Sequence, residues 1–316
     1  MDRRDPPGMT ARTPIALAVA GSDSGAGAGI QADLKTFAAL GVHAATAVTA
    51  LTAQNTRGVR AIHLAPSDVV TAQIEAVTED FEIAAIKIGM LGSAAIVEAV
   101  AERLRFPSPQ PSRATPGSSP GRRGGESFPP LAGEGGAKRE MRAFVVCDPV
   151  MAASSGEALS GAGFLEAVRE TLLPLVDCLT PNLAEAAALL GEGIAQSEAD
   201  MARQGRALIA LGPRAVLVKG GHLPGDEAVD LLVDADGTHR FAAPKIGSRN
   251  LHGTGCVLSS AIAAHIVLGK SLPEAVAAAK AFVCEAIVAG RDVQLGAGAG
   301  PLAPEKVARS GSGSGG

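Results

Sequence analysis

Short apolar runs that alternate with longer amphipathic ones constrain this chain more than any other feature. "IALAVA" (15–20) is typical of a buried strand, and "GIQADLKTFAALG" (29–41) is typical of a following helix that ends at Gly41. Further strand candidates are "HAATAVTAL" (43–51), "AAIKIGM" (84–90), "RAFVVCDPV" (142–150), "VDCLTPN" (176–182) and "RAVLVKGG" (214–221). Apolar strands separated by helices predict an α/β fold with a central, mostly parallel sheet and helices on both faces.

The last third of the chain departs from this alternation. "AVDLLVD" (228–234) and "THRFAA" (238–243) flank Ala235-Asp236-Gly237, a pattern that predicts an antiparallel hairpin. Two long alanine-rich segments, at about 256–268 and 273–290, are then expected to form the final helices.

One internal segment has a different composition. Residues 106–141 are rich in Pro, Gly and Ser, so they cannot bury enough apolar surface to offset the entropy lost on ordering. We therefore predict a disordered surface insert, although its loosely PxxP-like "PSPQP" leaves a partner-binding role open. The domain prediction is a disordered tail at 1–12, a single domain at 13–302 and a flexible tail at 303–316.

Composition excludes several classes of function. The net charge is −4 and no basic stripe is present, which argues against binding to nucleic acid or to an anionic membrane surface. The apolar stretches are short and interrupted, so no membrane span is expected. Four cysteines lack CxxC spacing, which disfavours a disulfide framework or a structural zinc site and favours a reducing cytoplasm.

The segment "RNLHGTGCVLSS" (249–260) combines a glycine-rich turn with a cysteine at the expected start of a helix. The first turn of a helix has unpaired amide N–H groups and a favourable field for anions, so it can bind a phosphate. The same field should lower the pKa of Cys256 and favour its thiolate. Such a base could deprotonate a hydroxyl that attacks the γ-phosphate of ATP. The alternative is that Gly-Thr-Gly is only a turn and Cys256 only a small residue near the helix start.

Several polar residues follow predicted strands, where the ligands of open α/β sheets collect. In "TPNLAEA" (180–186), Asn182 and Glu185 are spaced as a helix-capping box, and their oxygens also suit the Mg²⁺ that accompanies ATP. These two roles are compatible. Asp148 and Lys219 follow two other strands. Each of them could also have no role beyond ending its strand.

Two common nucleotide-binding patterns are missing. The loop "AGSDSGAGAGIQAD" (20–33) carries GxGxG, but Ile30 occupies the third fingerprint position, and no acidic residue lies near 49–54. An NAD-linked oxidoreductase is therefore disfavoured. No GxxxxGK[ST] sequence is present either, so the chain lacks a Walker A loop.

Seven ordered segments together resemble the hydroxymethylpyrimidine/phosphomethylpyrimidine kinases of thiamine biosynthesis, which belong to the ribokinase superfamily. They are "AGSDSGAGAGIQADLKTF", "TALTAQNTRGV", "KIGML", "DPVM", "TPNLAEA", "VKGGH" and "HGTGC". The resemblance covers roughly residues 15–302 apart from the insert. It implies a ribokinase-like fold and two successive phosphorylations, in which ATP and Mg²⁺ convert 4-amino-5-hydroxymethyl-2-methylpyrimidine to its monophosphate and then to the diphosphate.

The resemblance also implies roles for individual residues. The catalytic base and anion hole would be formed by Cys256, Gly253 and Gly255. The pyrimidine would be bound by Asp33, Gln54 and Met90. A carboxamide such as that of Gln54 offers both a donor and an acceptor to an aminopyrimidine edge, and a thioether is an adequate surface for a ring.

On the nucleotide side, the resemblance implies that ATP is bound by Asn182, Lys219 and Thr254, and that the metal is bound by Asp148 and Glu185. Ala26 departs from the family, which usually has glycine there; this should matter little if the backbone angle is ordinary. The insert at 106–141 is not a family feature, and we expect it to lie away from the site. A homodimer is also expected, because ribokinase relatives commonly dimerise.

Two alternatives to this function remain. Some pyridoxal kinases of vitamin B6 salvage share the fold and the Gly-Thr-Gly-Cys ending, although "TALTAQNT" and "KIGML" favour the pyrimidine kinase. A catalytically silent, pyrimidine-binding regulator is the second alternative. Its weakness is that Cys256, Asp148, Asn182 and Glu185 are all intact.

Overall fold

The computed structural model describes residues 13–105, 143–151 and 161–307. The strands within these ranges form one nine-stranded sheet, in the order β3-β2-β1-β4-β5-β6-β7-β8-β9. They are β1 (Ile15–Asp23), β2 (His43–Asn55), β3 (Gly58–Leu64), β4 (Ala85–Ile88), β5 (Phe144–Cys147), β6 (Cys178–Leu179), β7 (Ala215–Lys219), β8 (Glu227–Asp234) and β9 (Gly237–Pro244).

Six neighbouring strands, β2, β1, β4, β5, β6 and β7, run parallel, whereas β3, β8 and β9 pair antiparallel. The predicted mostly parallel sheet and the β8–β9 hairpin are both confirmed. Strand β3 was not predicted, because it lies at the sheet edge and exposes most of its residues, which leaves little apolar pattern to detect.

Helices cover both faces of the sheet, as expected. They are α1 (Gly29–Ala39), α2 (Ser67–Thr78), α3 (Ala94–Arg105), α4 (Phe164–Ala167), α5 (Leu183–Leu190), α6 (Glu198–Ile209), α7 (Thr254–Val267) and α8 (Leu272–Gly290). Helices α1, α7 and α8 bury apolar residues such as Phe37, Ile262 and Phe282 on one face. Helices α2 to α6 bury the apolar cluster on the other face, which includes Ile96 and Leu208. Burial on both sides explains why the central strands are apolar along their whole length.

The parallel arrangement brings the carboxyl ends of β1, β2, β4, β5, β6 and β7 to one edge of the sheet. The residues that follow these strands therefore share a region, and ligands of open α/β sheets bind at such edges. The start of β5, which follows the predicted insert along the chain, lies at the opposite edge.

The packed part of the chain continues beyond the expected boundary at 302. Ala303 and Pro304 are buried, and a short 3₁₀ turn (Pro304–Lys306) packs near α1 and α8. Residues 303–307, the first five of the expected tail at 303–316, therefore belong to the packed part of the chain. The predicted tail at 1–12, the insert at 106–141 and positions 308–316 lie outside the described residues. Within the described ranges, no helix is long and apolar enough to cross a membrane.

Candidate active site

Helix α7 begins with a turn that only glycine fits. Gly253 is the N-cap residue with φ +86°, and a Cβ there would overlap the carbonyl oxygen of Gly27. Thr254 and Gly255 are already helical, so the helix starts two residues earlier than predicted. The amides of Gly255 and Cys256 therefore lie in the first turn, where a helix supplies no carbonyl acceptor.

The first turn of α7 lies against an ion pair at the ends of β5 and β7. A Cβ on Gly255 would be 3.1 Å from Lys219 Nζ and 3.2 Å from Asp148 Oδ2. Lys219 Nζ donates to Asp148 Oδ1 at 2.6 Å and lies 3.9 Å from Glu185 Oε2. The absence of a side chain at Gly255 thus brings the helix backbone next to the lysine, so that one anion could contact both.

Asn182 and Glu185 form the predicted capping box at the start of α5. The Asn182 side chain accepts from the Glu185 amide at 2.9 Å, and Glu185 Oε2 accepts from the Asn182 amide at 2.7 Å. This structural role also directs the Glu185 carboxylate toward Lys219. The sequence hypothesis that one pair of residues could cap a helix and face the nucleotide side is compatible with this geometry.

Burial changes the charge balance of this cluster. It raises the pKa of Glu185 to about 7; the Lys219 charge opposes that rise and the Asp148 carboxylate adds to it. Burial would lower the pKa of Lys219, but the two carboxylates outweigh burial, and the net shift is upward. Lys219 is therefore a permanent cation at the start of α7.

Cys256 lies in the first turn of α7, as predicted, but its expected low pKa is wrong. Burial raises the pKa of the thiol to about 11; the Lys87 ammonium and a hydrogen bond from the Gly29 amide lower it, whereas Asp33 and Asp148 raise it further. Desolvation of a thiolate therefore outweighs the field of the helix start. The free protein carries a neutral Cys256 at physiological pH.

This correction predicts how Cys256 reacts with iodoacetamide. Because the thiolate is the nucleophile, the alkylation rate at Cys256 should keep rising from pH 7 to pH 10 rather than reach a plateau below pH 8. Mass spectrometry of the peptide containing Cys256 measures the rate, with Cys256→Ser giving the background from the other cysteines. A plateau near neutral pH would restore the low-pKa hypothesis.

Asp33 occupies a different place from the one expected. It is fully buried, and its oxygens accept from Lys87 Nζ at 2.8 and 2.9 Å and from Ser260 Oγ at 2.7 Å. Burial would lower the pKa of Lys87, but the Asp33 carboxylate raises it, so Lys87 stays charged. In this arrangement Asp33 is not exposed to contact a pyrimidine. It holds Lys87 in place instead.

Met90 lines an apolar patch at the carboxyl ends of β1, β2 and β4. It packs with Ala50, and a Cβ on Gly21 would lie 3.0 Å from its sulfur atom. Val59 and Val150 pack against the same patch. These two valines were not predicted, since a single valine carries no distinguishing pattern.

Gln54 lies near the end of β2, and its backbone is held by Ser24. The Ser24 hydroxyl donates to the Gln54 carbonyl and accepts from the Gln54 amide, both at 2.8 Å. The Gln54 carboxamide lies 3.1 Å from His252 Nε2. His252 was overlooked as a site residue, although it belongs to the "HGTGC" segment.

Asp23 organises the first glycine-rich loop and was also overlooked. Its carboxylate accepts from the amides of Gly25, Gly27 and Ala28 at 2.8–3.0 Å and lies 3.1 Å from His252 Nε2. Burial alone would raise the pKa of Asp23, but the hydrogen bonds from His252 and these amides lower it below its ordinary value. An ionised Asp23 thus ties the first loop to the loop before α7.

The Thr254 hydroxyl has an acceptor within the protein. It donates to the carbonyl oxygen of Leu251 at 2.6 Å, so it stabilises the turn that precedes α7. Its expected contact with ATP would require this hydroxyl to use its oxygen as an acceptor or to leave Leu251.

Alanine in place of the family's usual glycine was expected to matter little at position 26 if the backbone angle there was ordinary. The angle is not ordinary. The φ of Ala26 is +58°, and Ala26 is the single non-glycine residue with positive φ within the described ranges. Ala26→Gly should therefore raise the free energy of unfolding by about 0.5–1 kcal/mol, because relief of left-handed strain exceeds the entropy that glycine adds to the unfolded chain.

Urea denaturation measures this change. Ala28→Gly is the matched control, since Ala28 has an extended backbone with φ −139° and no strain to relieve, so it should lose stability. Equal losses in both variants would contradict the strain assigned to Ala26.

Comparison with known proteins places this geometry in a family. The model for phosphomethylpyrimidine kinase matches residues 23–112 and 135–303, which leaves 113–134 unmatched. The chain is 47% identical over 290 residues to the hydroxymethylpyrimidine/phosphomethylpyrimidine kinase of Rhizobium meliloti, and this match covers 92% of the chain and 96% of the relative. It is 43% identical to the chloroplastic thiamine biosynthetic bifunctional enzyme of Arabidopsis thaliana, of which it spans 49%.

Solved structures agree with this placement. Phosphomethylpyrimidine kinase from Clostridium difficile 630 superposes with a TM-score of 0.67 at 37% identity, covering 86% of this chain and 99% of that one. Pyridoxal kinase from Staphylococcus aureus in complex with AMP-PCP superposes with a TM-score of 0.77 at 31% identity, covering 95% and 96%. The expected ribokinase-like fold is confirmed. With matching sequence, fold and ordered site segments, the chain belongs to the phosphomethylpyrimidine kinase family.

Proposed function

We propose that this enzyme, an ATP-dependent phosphotransferase, phosphorylates 4-amino-5-hydroxymethyl-2-methylpyrimidine and then its monophosphate in thiamine biosynthesis. The observation that carries the proposal is the contact between the first turn of α7 and the Asp148–Lys219 pair, directly beside Cys256. The backbone amides of this turn, the Lys219 ammonium and the Cys256 thiol therefore lie around one position at the start of α7. Phosphoryl transfer requires mainly such positioning and charge neutralisation.

In this proposal, the transferring phosphoryl group lies at the start of α7. The amides of Gly255 and Cys256 donate to its oxygens, and Lys219 contributes the nearby positive charge. Asn182, which follows β6, forms an isolated parallel bridge with Lys219 at the end of β7, and this contact supports its assignment to the nucleotide side.

The acidic residues fit a bound Mg²⁺. Within the described residues, no group of three or more His, Cys, Asp or Glu side chains is arranged to hold a metal. Mg²⁺ nevertheless binds typically through one or two carboxylates, with waters and nucleotide phosphates completing its shell. Asp148 and Glu185 supply two such carboxylates around Lys219. When bound, the ion would neutralise charge on the ATP phosphates.

Cys256 is the proposed base in the first phosphorylation. The thiol first loses its proton to solvent; then, as the substrate hydroxyl oxygen bonds to the γ-phosphorus and the bond to ADP breaks, the hydroxyl proton passes to the Cys256 thiolate, which becomes a thiol again. The raised pKa makes the thiolate scarce in the free protein but strongly basic when formed. In the second phosphorylation the attacking group is an ionised phosphate oxygen, so no proton has to be removed.

On the substrate side, we assign the pyrimidine edge to Gln54 and the ring face to Met90. Gln54 supplies a hydrogen-bonding carboxamide, and Met90 supplies an apolar surface together with Ala50. Asp33 acts indirectly, because it holds the Lys87 ammonium, whose charge acts on Cys256. This chain has no Trp or Tyr, so an aliphatic and thioether surface for the ring agrees with its composition.

Product analysis by mass spectrometry tests the function. Hydroxymethylpyrimidine, its monophosphate and pyridoxal would each be incubated with Mg–ATP and the enzyme. Mono- and diphosphorylated pyrimidine are the expected products. Turnover of pyridoxal alone would assign the chain to vitamin B6 salvage, a second candidate favoured by its likeness to the S. aureus pyridoxal kinase. Binding without any product would favour the silent regulator.

The insert at 106–141 is proposed to be dispensable for catalysis. The described elements that flank it support this proposal, because α3 ends at Arg105 and β5 starts at the end of the sheet opposite the site. Replacing 106–141 with a short Gly/Ser linker should leave kcat/KM within about twofold, since loop length affects stability only weakly. Loss of activity in a variant with an unchanged circular dichroism spectrum would refute this placement.

Two further expectations stay predictions. The single domain at 13–302 is proposed to associate as a homodimer, which size-exclusion chromatography with light scattering measures. A cytoplasmic location is favoured by the cysteine pattern, and fractionation of the source cells tests it.

A further inference from the structure

A chain of hydrogen bonds links the first loop to the Gln54 carboxamide. His252 Nε2 lies 3.1 Å from Asp23 Oδ2 and 3.1 Å from the carboxamide nitrogen of Gln54. The carboxamide oxygen lies 3.1 Å from Thr52 Oγ1, which also lies 2.9 Å from the carbonyl oxygen of Ser22. Each contact in this chain needs one donor and one acceptor.

The Asp23 end of the chain determines where the His252 proton lies. Asp23 Oδ2 already accepts from the amides of Gly27 and Ala28, and the pKa of this carboxyl is lowered, so the group is ionised. A carboxylate can only accept hydrogen bonds. His252 must therefore donate its Nε2 proton to Asp23.

A protonated Nε2 conflicts with the carboxamide nitrogen of Gln54, because both atoms are donors. At the other end, Thr52 has one hydroxyl proton for two acceptors, the Ser22 carbonyl and the Gln54 oxygen. A half-turn of the carboxamide removes the donor–donor contact with His252 and leaves Thr52 with a single acceptor, without moving any other group. The carboxamide oxygen then shares the His252 Nε2 proton with Asp23 in a three-centre hydrogen bond, the carboxamide nitrogen donates to Thr52, and Thr52 donates to Ser22. The two ends of a carboxamide have nearly the same size, so the hydrogen bonds decide between them.

Neighbouring groups leave the chain little freedom to rearrange. A Cβ on Gly27 would lie 3.3 Å from His252 Nε2 and even closer to its ring carbon, and 3.1 Å from Pro301, so the imidazole is packed against the first loop. The His252 side chain is only 13% exposed. The backbone of Gln54 is held by Ser24. With the Gln54 backbone held, the hydrogen-bonding contacts of its carboxamide are those with His252 and Thr52.

We propose that His252 and Thr52 are positioning residues that set substrate specificity by fixing the Gln54 carboxamide. With its oxygen on the His252 side and its nitrogen on the Thr52 side, the group presents an ordered acceptor–donor pair. A ring that has an amino donor next to a ring-nitrogen acceptor matches this order. An aminopyrimidine has such an edge, whereas a hydroxypyridine aldehyde does not. This inference rests on the proposed function and deepens it.

Two matched pairs of substitutions test the inference. His252→Leu and Thr52→Val remove the hydrogen-bonding groups, whereas His252→Gln and Thr52→Ser keep a donor and a hydroxyl. In the first two variants, KM for hydroxymethylpyrimidine should rise about tenfold or more, and the preference for it over pyridoxal should fall by a similar factor. KM for ATP should stay within about twofold. The two conservative variants should retain the preference of the original enzyme.

A spectroscopic measurement tests the orientation independently of activity. With ¹⁵N-labelled histidine, NMR of the full chain should show His252 Nε2 protonated, and the signal should change when Asp23→Asn is introduced. An unprotonated Nε2 would overturn the inference whatever the kinetics. So would an unchanged substrate preference in His252→Leu, or equal rises in KM for ATP and pyrimidine. If the unsubstituted enzyme does not phosphorylate the pyrimidine, the proposed function is wrong. The NMR result would still decide the orientation of the Gln54 carboxamide.

Discussion

Gly253→Ala is expected to lower kcat/KM by about 100-fold or more for both phosphorylations, because it disturbs the anion-binding turn itself. Gly253 has φ +86°, and an added Cβ would overlap the Gly27 carbonyl. The chain can relieve this overlap only by moving the first turn of α7 away from the first loop. That movement would take the amides of Gly255 and Cys256 away from Lys219. Steady-state kinetics with the pyrimidine and with its monophosphate measures the loss.

Gly269→Ala is the control for the effect of backbone strain. Gly269 follows α7 and has nearly the same φ, +88°, but a Cβ there would meet nothing within 4 Å. Its substitution should cost about 1 kcal/mol of stability and leave kcat/KM nearly unchanged. Similar losses of activity in both variants would mean that strain, rather than the position of the turn, explains the effect of Gly253→Ala.

Cys256→Ala is expected to reduce kcat for the first phosphorylation by about 100-fold or more, and kcat for the second by less than about tenfold. The first step needs a base for the hydroxyl proton, whereas the second has an ionised phosphate as its nucleophile. The pH dependence sharpens the test. Because the thiol pKa is about 11, the first-step rate of the original enzyme should rise with pH between 7 and 9, and this slope should disappear in the variant.

Cys284→Ala provides the matched control. Cys284 is a partly exposed cysteine on α8, which packs behind α7, and it should be replaceable without effect on either step. Equal losses of both phosphorylations in Cys256→Ala would count against a base. They would favour a role for Cys256 in the packing of the anion-binding turn.

The local order of strands and helices could be predicted because it depends on periodicity. The apolar strands β1, β4 and β7 and the hairpin of β8 and β9 appear where their patterns predict them. The capping box of Asn182 and Glu185 was also predictable, because both partners lie within one helical turn. Strand β3 was not, since an exposed edge strand carries little burial pattern.

Electrostatic roles in the site were harder to predict because they depend on partners far away in the chain. Asp33 and Lys87 lie 54 residues apart, and Asp148 and Lys219 lie 71 apart, so no local spacing indicates either pair. The pKa of Cys256 shows the same limit. The helix start was visible in the sequence and favours a thiolate, but the extent of burial, which outweighs it, was not.

Because Asp33 and Lys87 form a buried ion pair, the effect of a substitution at one position depends on the residue at the other. Neither side chain is exposed, so removing one partner leaves an uncompensated charge in the interior, at a cost of about 3–5 kcal/mol. Replacing both with apolar residues of similar volume avoids that cost and can leave the folded state nearly as stable. A library that varies position 33 or position 87 alone should therefore yield variants that are destabilised by about 3–5 kcal/mol. One that varies both together should yield folded proteins, and in these the influence of a buried charge on Cys256 could be measured directly.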